Sequence, residues 1–308
     1  MSTRPTTAAQ ATGDRPRSGT WGGCAAALIE VSLAFALAHL SYRSFKHFTE
    51  LGRQEGAAGL NFSPGTVMTL FTVAALLLGR RNFAEYGLTL KDWRYNLNVG
   101  LFWSVLLTAA AGLLILLIPV RFDPLHAPDL RRALVFSLGE VVATVLLMAF
   151  LLREMSAVRR VPASISLFVL GGLLCLPLVV AVIWQRPVLN VLLTVFWLFF
   201  GAGFGEEIFF RGYIQSRVNE AFGRPFRVLG LQFGPGLVVS ALLFGFIHVL
   251  NTVDYFQGQF DFAWLWWVTN FCAGLFLGCL RERSASILPG AVVHGLEDVL
   301  GSVPGLLP

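Results

Sequence analysis

The stretch Phe199-Phe-Gly-Ala-Gly-Phe-Gly-Glu206-Glu207-Ile-Phe-Phe-Arg211-Gly-Tyr213 plants two adjacent carboxylates and a guanidinium in an otherwise apolar run that begins near Val188. About 20 apolar residues span a bilayer as a helix. An ionisable side chain at the centre of such a span costs about 2.5 to 3.5 kcal/mol on insertion scales, so it is retained for a reason. The rest of the chain has the same character. Of its 308 residues 56% are hydrophobic and 13% charged, against about 25% charged in a soluble domain, too few polar side chains to coat a globule in water. A soluble enzyme is excluded. The net charge of +5 does not indicate nucleic acid, because the 23 basic residues fall mostly in short gaps between apolar runs rather than on one face.

Outward from Glu206, eight further apolar runs are legible: Trp21 to about Leu40, Leu60 to Gly79, Leu97 to Val120, Ala133 to Leu152, Ile165 to Trp184, Gly236 to Leu250, Trp264 to Leu280 and Ile287 to Leu300. With Val188 to Phe210 they make nine, or eight if two short runs merge. The expected fold is all-α, a polytopic transmembrane helical bundle of about eight to nine helices around an intramembrane cavity. Residues 1–20 read as a disordered arm, 21–187 as the N-terminal transmembrane helices and 188–308 as the core that carries the chemistry. With nine helices and the N-terminus inside, Lys and Arg divide 16 inside to 7 outside. That asymmetry favours a cytoplasmic N-terminus in a plasma (inner) membrane. Cys24, Cys175, Cys272 and Cys279 lie in apolar runs without paired spacing and read as buried, inert thiols.

Of the five histidines, His39, His47 and His126 fall near helix ends or in loops, where imidazole is inexpensive. His248, in Phe244-Gly-Phe-Ile-His248, and His294, in His294-Gly-Leu-Glu-Asp298, lie within apolar runs. Glu207 and Arg211, Phe244 and His248, and His294 and Asp298 are each four apart, neighbours on one helical face. Glu206 is then left unpaired. At 1.5 Å per residue Glu206 is ~24 Å from a helix end at Phe222, His248 ~18 Å from Gly236, and His294 ~10 to 15 Å from the start of its helix, so all three reach a common depth. A free carboxylate beside two imidazoles suits activation of water for hydrolysis, the carboxylate taking the proton. Zinc held by Glu206, His248 and His294 is the competing chemistry, although the HExxH arrangement is absent.

These motifs resemble those of the CPBP family of intramembrane proteases, also called the CAAX-protease or ABI family, which includes the eukaryotic prenyl-protein CAAX endoprotease. Its EExxxR is matched by Glu206, Glu207 and Arg211, its FxxxH by Phe244 and His248, and its HxxxN or HxxxD by His294 and Asp298, in order and over about residues 188–303. Phe83-Ala-Glu-Tyr-Gly-Leu88 resembles the family's pre-core segment more faintly. The resemblance implies an intramembrane endopeptidase acting on a membrane-associated peptide or protein without a metal. Glu206 would be the general base, assisted by His248, with His294 and Asp298 stabilising the oxyanion and Glu207, Arg211 and Phe244 in support. An ionised Asp298 can only accept hydrogen bonds. Either it is protonated, or it accepts from His294 and fixes the tautomer that donates to the oxyanion, the reading preferred here.

Two other classes fit the same residues: a non-catalytic immunity or scaffold protein that keeps the polar core for structure, and a transporter using Glu and His as a proton relay. Glu30 and Glu140, also within apolar runs, read as contacts between helices. Trp264, Trp266 and Trp267 read as an interfacial anchor or the border of a lateral opening.

Overall fold

The computed structural model describes residues 20–117, 130–151 and 161–308. The arm before Thr20, His126, and Arg121, Arg153, Arg159 and Arg160 of the charge division lie outside the described residues, as do the side chains of Arg131, Arg132 and Glu140.

Helices follow the apolar runs. They are α1 (Trp21–Phe48), α2 (Glu50–Ala57), α3 (Phe62–Leu78), α4 (Trp93–Leu117), α5 (Leu130–Leu151), α6 (Ala163–Ile183), α7 (Val188–Phe196), α8 (Ser216–Phe222), α9 (Pro235–Val249), α10 (Trp264–Ser284) and α11 (Leu288–Gly301). Between α7 and α8 the chain stays helical in two wider, i→i+5 wound segments, Trp197–Glu206 and Ile208–Gln215. One rod therefore runs from Val188 to Phe222. The class is all-α, and each of the nine expected runs has its helix. Among the described residues four helices are long and apolar enough to cross a membrane: α1, α6, the Val188–Phe222 rod, and α9 with its last turn to Thr252. Lipid accounts for their outer faces, where Phe168, Val182 and Ile183 stand exposed on α6. This is an integral membrane protein.

Three features depart from the sequence reading. First, α1 extends eight residues past Leu40, because no glycine or proline interrupts it before Thr49. The Thr49 hydroxyl donates to the Phe45 carbonyl (2.7 Å) and accepts from Gly52 N–H (3.0 Å), closing one helix and opening the next. His39 is accordingly nine residues inside a helix and buried, not at its end. Second, the thiols are not uniformly buried: Cys272 and Cys279 are, whereas Cys24 is intermediate and Cys175 exposed. Third, two short hairpins stand in the connectors, Phe226–Val228 with Leu231–Phe233 and Val253–Asp254 with Gln259–Phe260.

Glycines set how closely the helices cross. A Cβ on Gly65 of α3 would sit 2.0 Å from the Gly201 carbonyl oxygen, and one on Gly203 would sit 2.6 Å from Cα of Gly295 in α11. Backbone therefore meets backbone at two crossings of the rod, the close packing that small residues permit between membrane helices. The segment Phe83–Leu88 locks onto the end of this assembly. Gly87 has φ +77° and its Cα faces the Arg281 guanidinium so closely that a Cβ would lie 2.4 Å from Nε. Tyr86 donates to Glu220 (2.6 Å); burial and that carboxylate hold its phenol above the ordinary range.

Glu30 is a contact between helices, as expected. It accepts from both terminal nitrogens of Arg81 (2.5 and 3.0 Å), from Tyr213 Oη (2.7 Å) and from Arg217 Nε (2.7 Å). Nearby in the same half of the molecule, Glu282 accepts from Gln215, Asn219 and Arg224.

Candidate functional site

The rod presents Glu206 and Glu207 where the two wide segments join. Glycines 201, 203 and 205 bring α3 and α11 against it, so the carboxylates enter a crowded interior rather than lipid. The wider winding leaves residues four apart as neighbours. Arg211 Nη1 donates to Glu207 Oε1 at 2.6 Å, with both side chains wholly buried. The Arg211 guanidinium also lies over the Phe244 ring, 4.1 Å from its centroid, a cation–π contact made stronger by desolvation. Gly290 at the start of α11 faces the other carboxylate oxygen: a Cβ there would sit 2.8 Å from Glu207 Oε2.

His294 on α11 is surrounded by carboxylates. Its Nδ1 is 3.3 Å from Glu207 Oε1, within hydrogen-bond reach, while Nε2 is 3.6 Å from Asp298 Oδ2 and 3.9 Å from Glu206 Oε2. The hydrogen bond that orients the ring thus runs to Glu207, not to Asp298. This corrects the sequence reading: α11 crosses the rod so tightly at Gly295 that His294 is carried onto the glutamate pair, and Asp298, one turn on, is left at ion-pair distance. His248 is fixed from its own helix. Nδ1 is 2.7 Å from the Phe244 carbonyl oxygen, which can only accept, so Nδ1 carries the proton and Nε2 presents a lone pair. The Phe244 ring separates the two imidazoles, edge-on to His248 at 4.8 Å and to His294 at 5.5 Å.

All seven residues named from the sequence are drawn together. Glu206, Phe244, His248, His294 and Asp298 line one cavity of about 1170 Å³, and Glu207 and Arg211 lie buried behind it. Glu206 Oε2 is buried with no hydrogen-bond partner among the described residues. Such orphans are rare in native interiors and call for an explanation. No group of three His, Cys, Asp or Glu among the described residues is drawn together as metal ligands.

The cavity has walls that the motifs did not announce. Tyr42, Arg43 and Lys46 come from the extended part of α1, Asn61 and Met68 from the start of α3, and Glu297 from α11. Lys46 donates to Asn61, and Glu297 accepts from Thr108 (3.1 Å). Tyr42 is bonded to His39 Nδ1 (2.8 Å), whose Nε2 meets the half-buried Tyr255 Oη (3.0 Å), a chain that ties α1 to the hairpin after α9. A signal for the α1 set was present, since Tyr42 and Lys46 share a face with His39, but only an unbroken helix makes it visible. The tryptophan run divides. Trp264 is exposed, Trp266 lines the cavity against His248 (5.7 Å), and Trp267 stacks on Phe271 (5.0 Å).

Residues 187–300 match the family model described as type II CAAX prenyl endopeptidase Rce1-like. Comparison with curated proteins and with solved structures gave no match.

Proposed function

We propose, for a chain whose residues 187–300 form a domain of the CPBP (CAAX-protease) family of membrane-embedded proteases, that it hydrolyses a peptide bond of a membrane-associated peptide or protein through a water activated by Glu206. The observation that carries this reading is the orphaned Glu206 Oε2, buried in the cavity wall and facing His294. A water bound to that oxygen gives its proton to the carboxylate as its oxygen attacks the scissile carbonyl carbon. His248 Nε2, fixed as an acceptor by the Phe244 carbonyl, takes the water's second hydrogen bond and aims the attacking lone pair. His294, doubly protonated among the carboxylates, donates Nδ1–H to Glu207 and Nε2–H to the oxygen of the tetrahedral intermediate. As the C–N bond breaks, the proton on Glu206 passes to the departing amine.

Asp298, at 3.6 Å from His294 Nε2, supports this from the other side by balancing the ring's charge without taking its proton. Glu207 and Arg211 are a buried pair that positions His294. The reacting groups all fall in 188–308, and the helices of 21–187 supply walls through Tyr42, Met68 and Leu107. No metal is part of this mechanism. Glu206, His248 and His294 are the residues zinc would require, and its participation is decided by chelation of the active protein.

The test compares new protein N-termini in membranes of cells that lack the protein, complemented with the wild type or with Glu206→Gln at equal abundance. Termini produced by the wild type alone support the proposal and identify substrates. Identical termini from both, with both rescuing a deletion phenotype, would replace it with the scaffold reading.

A further inference from the structure

The cavity belongs to one end of the bundle. α1 lines it with Tyr42 to Lys46 in its last turns, α3 with Pro64 and Met68 in its first half, α9 with Phe244 to His248 at its C-terminus, α10 from Trp266 in its first turn to Leu277, and α11 with Val293 to Gly301, while α4 adds Leu107 and α5 adds Ala143, Thr144 and Leu147 from its second half. The rod lines it from Thr194 to Glu206 at its midpoint, and Asn61, Asn251 and Ser302 complete the rim from connectors. α1, α9 and α11 end, and α3, the rod and α10 begin, at the end where these portions gather.

The basic residues favour the other end. In the described connectors and terminal turns away from the cavity lie Arg80, Arg81, Lys91, Arg94, Arg217, Arg224, Arg227, Arg281 and Arg283. At the cavity end lie Arg43, Lys46, Arg53 and Arg186, and the first two of these line the cavity itself. Basic residues in short loops mark the cytoplasmic side. Contacts across helices bind the basic end into one face, through Glu30 with Arg81 and Arg217, through Glu282 with Arg224, and through Arg281 Nη2 donating to the Glu85 carbonyl (3.0 Å). This sorting rests on where the folded helices end, so it does not depend on how many spans precede them.

We propose that the cavity opens to the exoplasmic face of the membrane, and that the protein acts on membrane-anchored peptides or proteins whose scissile segment lies at that face. This rests on the protease reading for the word "acts", but the direction of opening stands on geometry and charge alone. Glu206 lies near the middle of the Val188–Phe222 rod, and the connector residues at the rim of its cavity, Asn61, Asn251 and Ser302, belong to the end away from the basic residues. Both ends of the site are polar, with Arg43 and Lys46 on α1 and Glu297 and Asp298 on α11, as suits a segment drawn in from water rather than a helix resting in lipid.

The test needs no activity. In a chain with its four cysteines replaced, single cysteines are introduced at Gln257, in the exposed hairpin at the cavity end, and at Gln232, in the exposed hairpin at the basic end. Intact cells are treated with a membrane-impermeant maleimide, with and without permeabilisation. The expected result is full labelling of Gln257→Cys in intact cells and labelling of Gln232→Cys only after permeabilisation. The reverse pattern overturns the proposal whether or not the protein is a protease. If the cysteine-free chain does not accumulate, alkaline phosphatase fused after Pro308 at the cavity end gives the same reading: activity supports an exoplasmic opening and inactivity of a stable fusion refutes it. Should the maleimide result hold while Glu206→Gln changes no N-terminus, the orientation stands and the protease reading alone falls.

Discussion

Gly290→Ala is the most discriminating change available, because it adds one methyl group behind the reacting residues without touching any of them. The added Cβ would lie 2.8 Å from Glu207 Oε2 and 3.5 Å from Cδ. Ordinary contact begins near 3.4 Å, so the carboxylate must yield by about half an ångström in a site that is wholly buried, at a packing cost of about 1 to 3 kcal/mol. The same carboxylate holds Arg211 at 2.6 Å and His294 at 3.3 Å. The second bond is already long, and a shift of that size takes it out of hydrogen-bond range. If a misplacement of about 1 Å costs about 10²-fold in rate, half of it costs about 10-fold, or roughly 1.4 kcal/mol of activation free energy. The assay is turnover of a Glu206-dependent substrate by protein in liposomes, read beside thermal unfolding in detergent. Gly171→Ala on α6, with nothing within 4 Å of its Cβ, is the control. Wild-type turnover and unchanged unfolding for Gly290→Ala would refute the claim that Glu207 sets the position of His294.

Arg211→Met leaves the buried Glu207 carboxylate with only the long bond to His294 and should cost about 3 to 5 kcal/mol; a detergent melting curve like the wild type's would contradict the pairing described. Gly65→Val should prevent accumulation of folded protein, since even its Cβ would lie 2.0 Å from the Gly201 oxygen; normal yield and elution on size exclusion would show that the α3 crossing is looser. Glu30→Gln should lower the melting temperature by less than Arg211→Met, because its carboxylate is partly exposed and such pairs contribute less. Turnover per folded molecule should be unaltered, and a selective loss of turnover would tie Glu30 to the site. Exhaustive chelation should leave turnover unchanged, whereas loss restored by zinc would move Glu206, His248 and His294 into a metal-ligand role.

The grouping of the candidate residues was legible because each part of it is local. Glu207 and Arg211, Phe244 and His248, and His294 and Asp298 are pairs four residues apart, and helical spacing alone makes them neighbours. Membrane composition added that polar groups in apolar runs must face the interior, which predicts that they meet. What local spacing could not supply was the crossing of helices. His294 bonds to Glu207 rather than Asp298 because Gly203 and Gly295 let α11 approach the rod backbone to backbone, a relation between residues 92 apart in the chain. The α1 wall was hidden for another reason. Ser41 to Phe48 is polar enough to read as a connector, yet it stays helical and turns Tyr42, Arg43 and Lys46 into the cavity. The wide winding from Trp197 to Gln215 has no sequence signature beyond its glycines, and it lies where such irregularity is most often found, at the candidate site.

The central claim is that Glu206 is the base. Purified wild type and Glu206→Gln, reconstituted in liposomes at equal folded concentration, are to be compared on a peptide taken from the substrates that the N-terminal comparison identifies. The account predicts cleavage at the native position by the wild type and a loss of about 10³-fold or more with Glu206→Gln, at unchanged melting temperature. Cleavage by Glu206→Gln within a few fold of the wild type would contradict it.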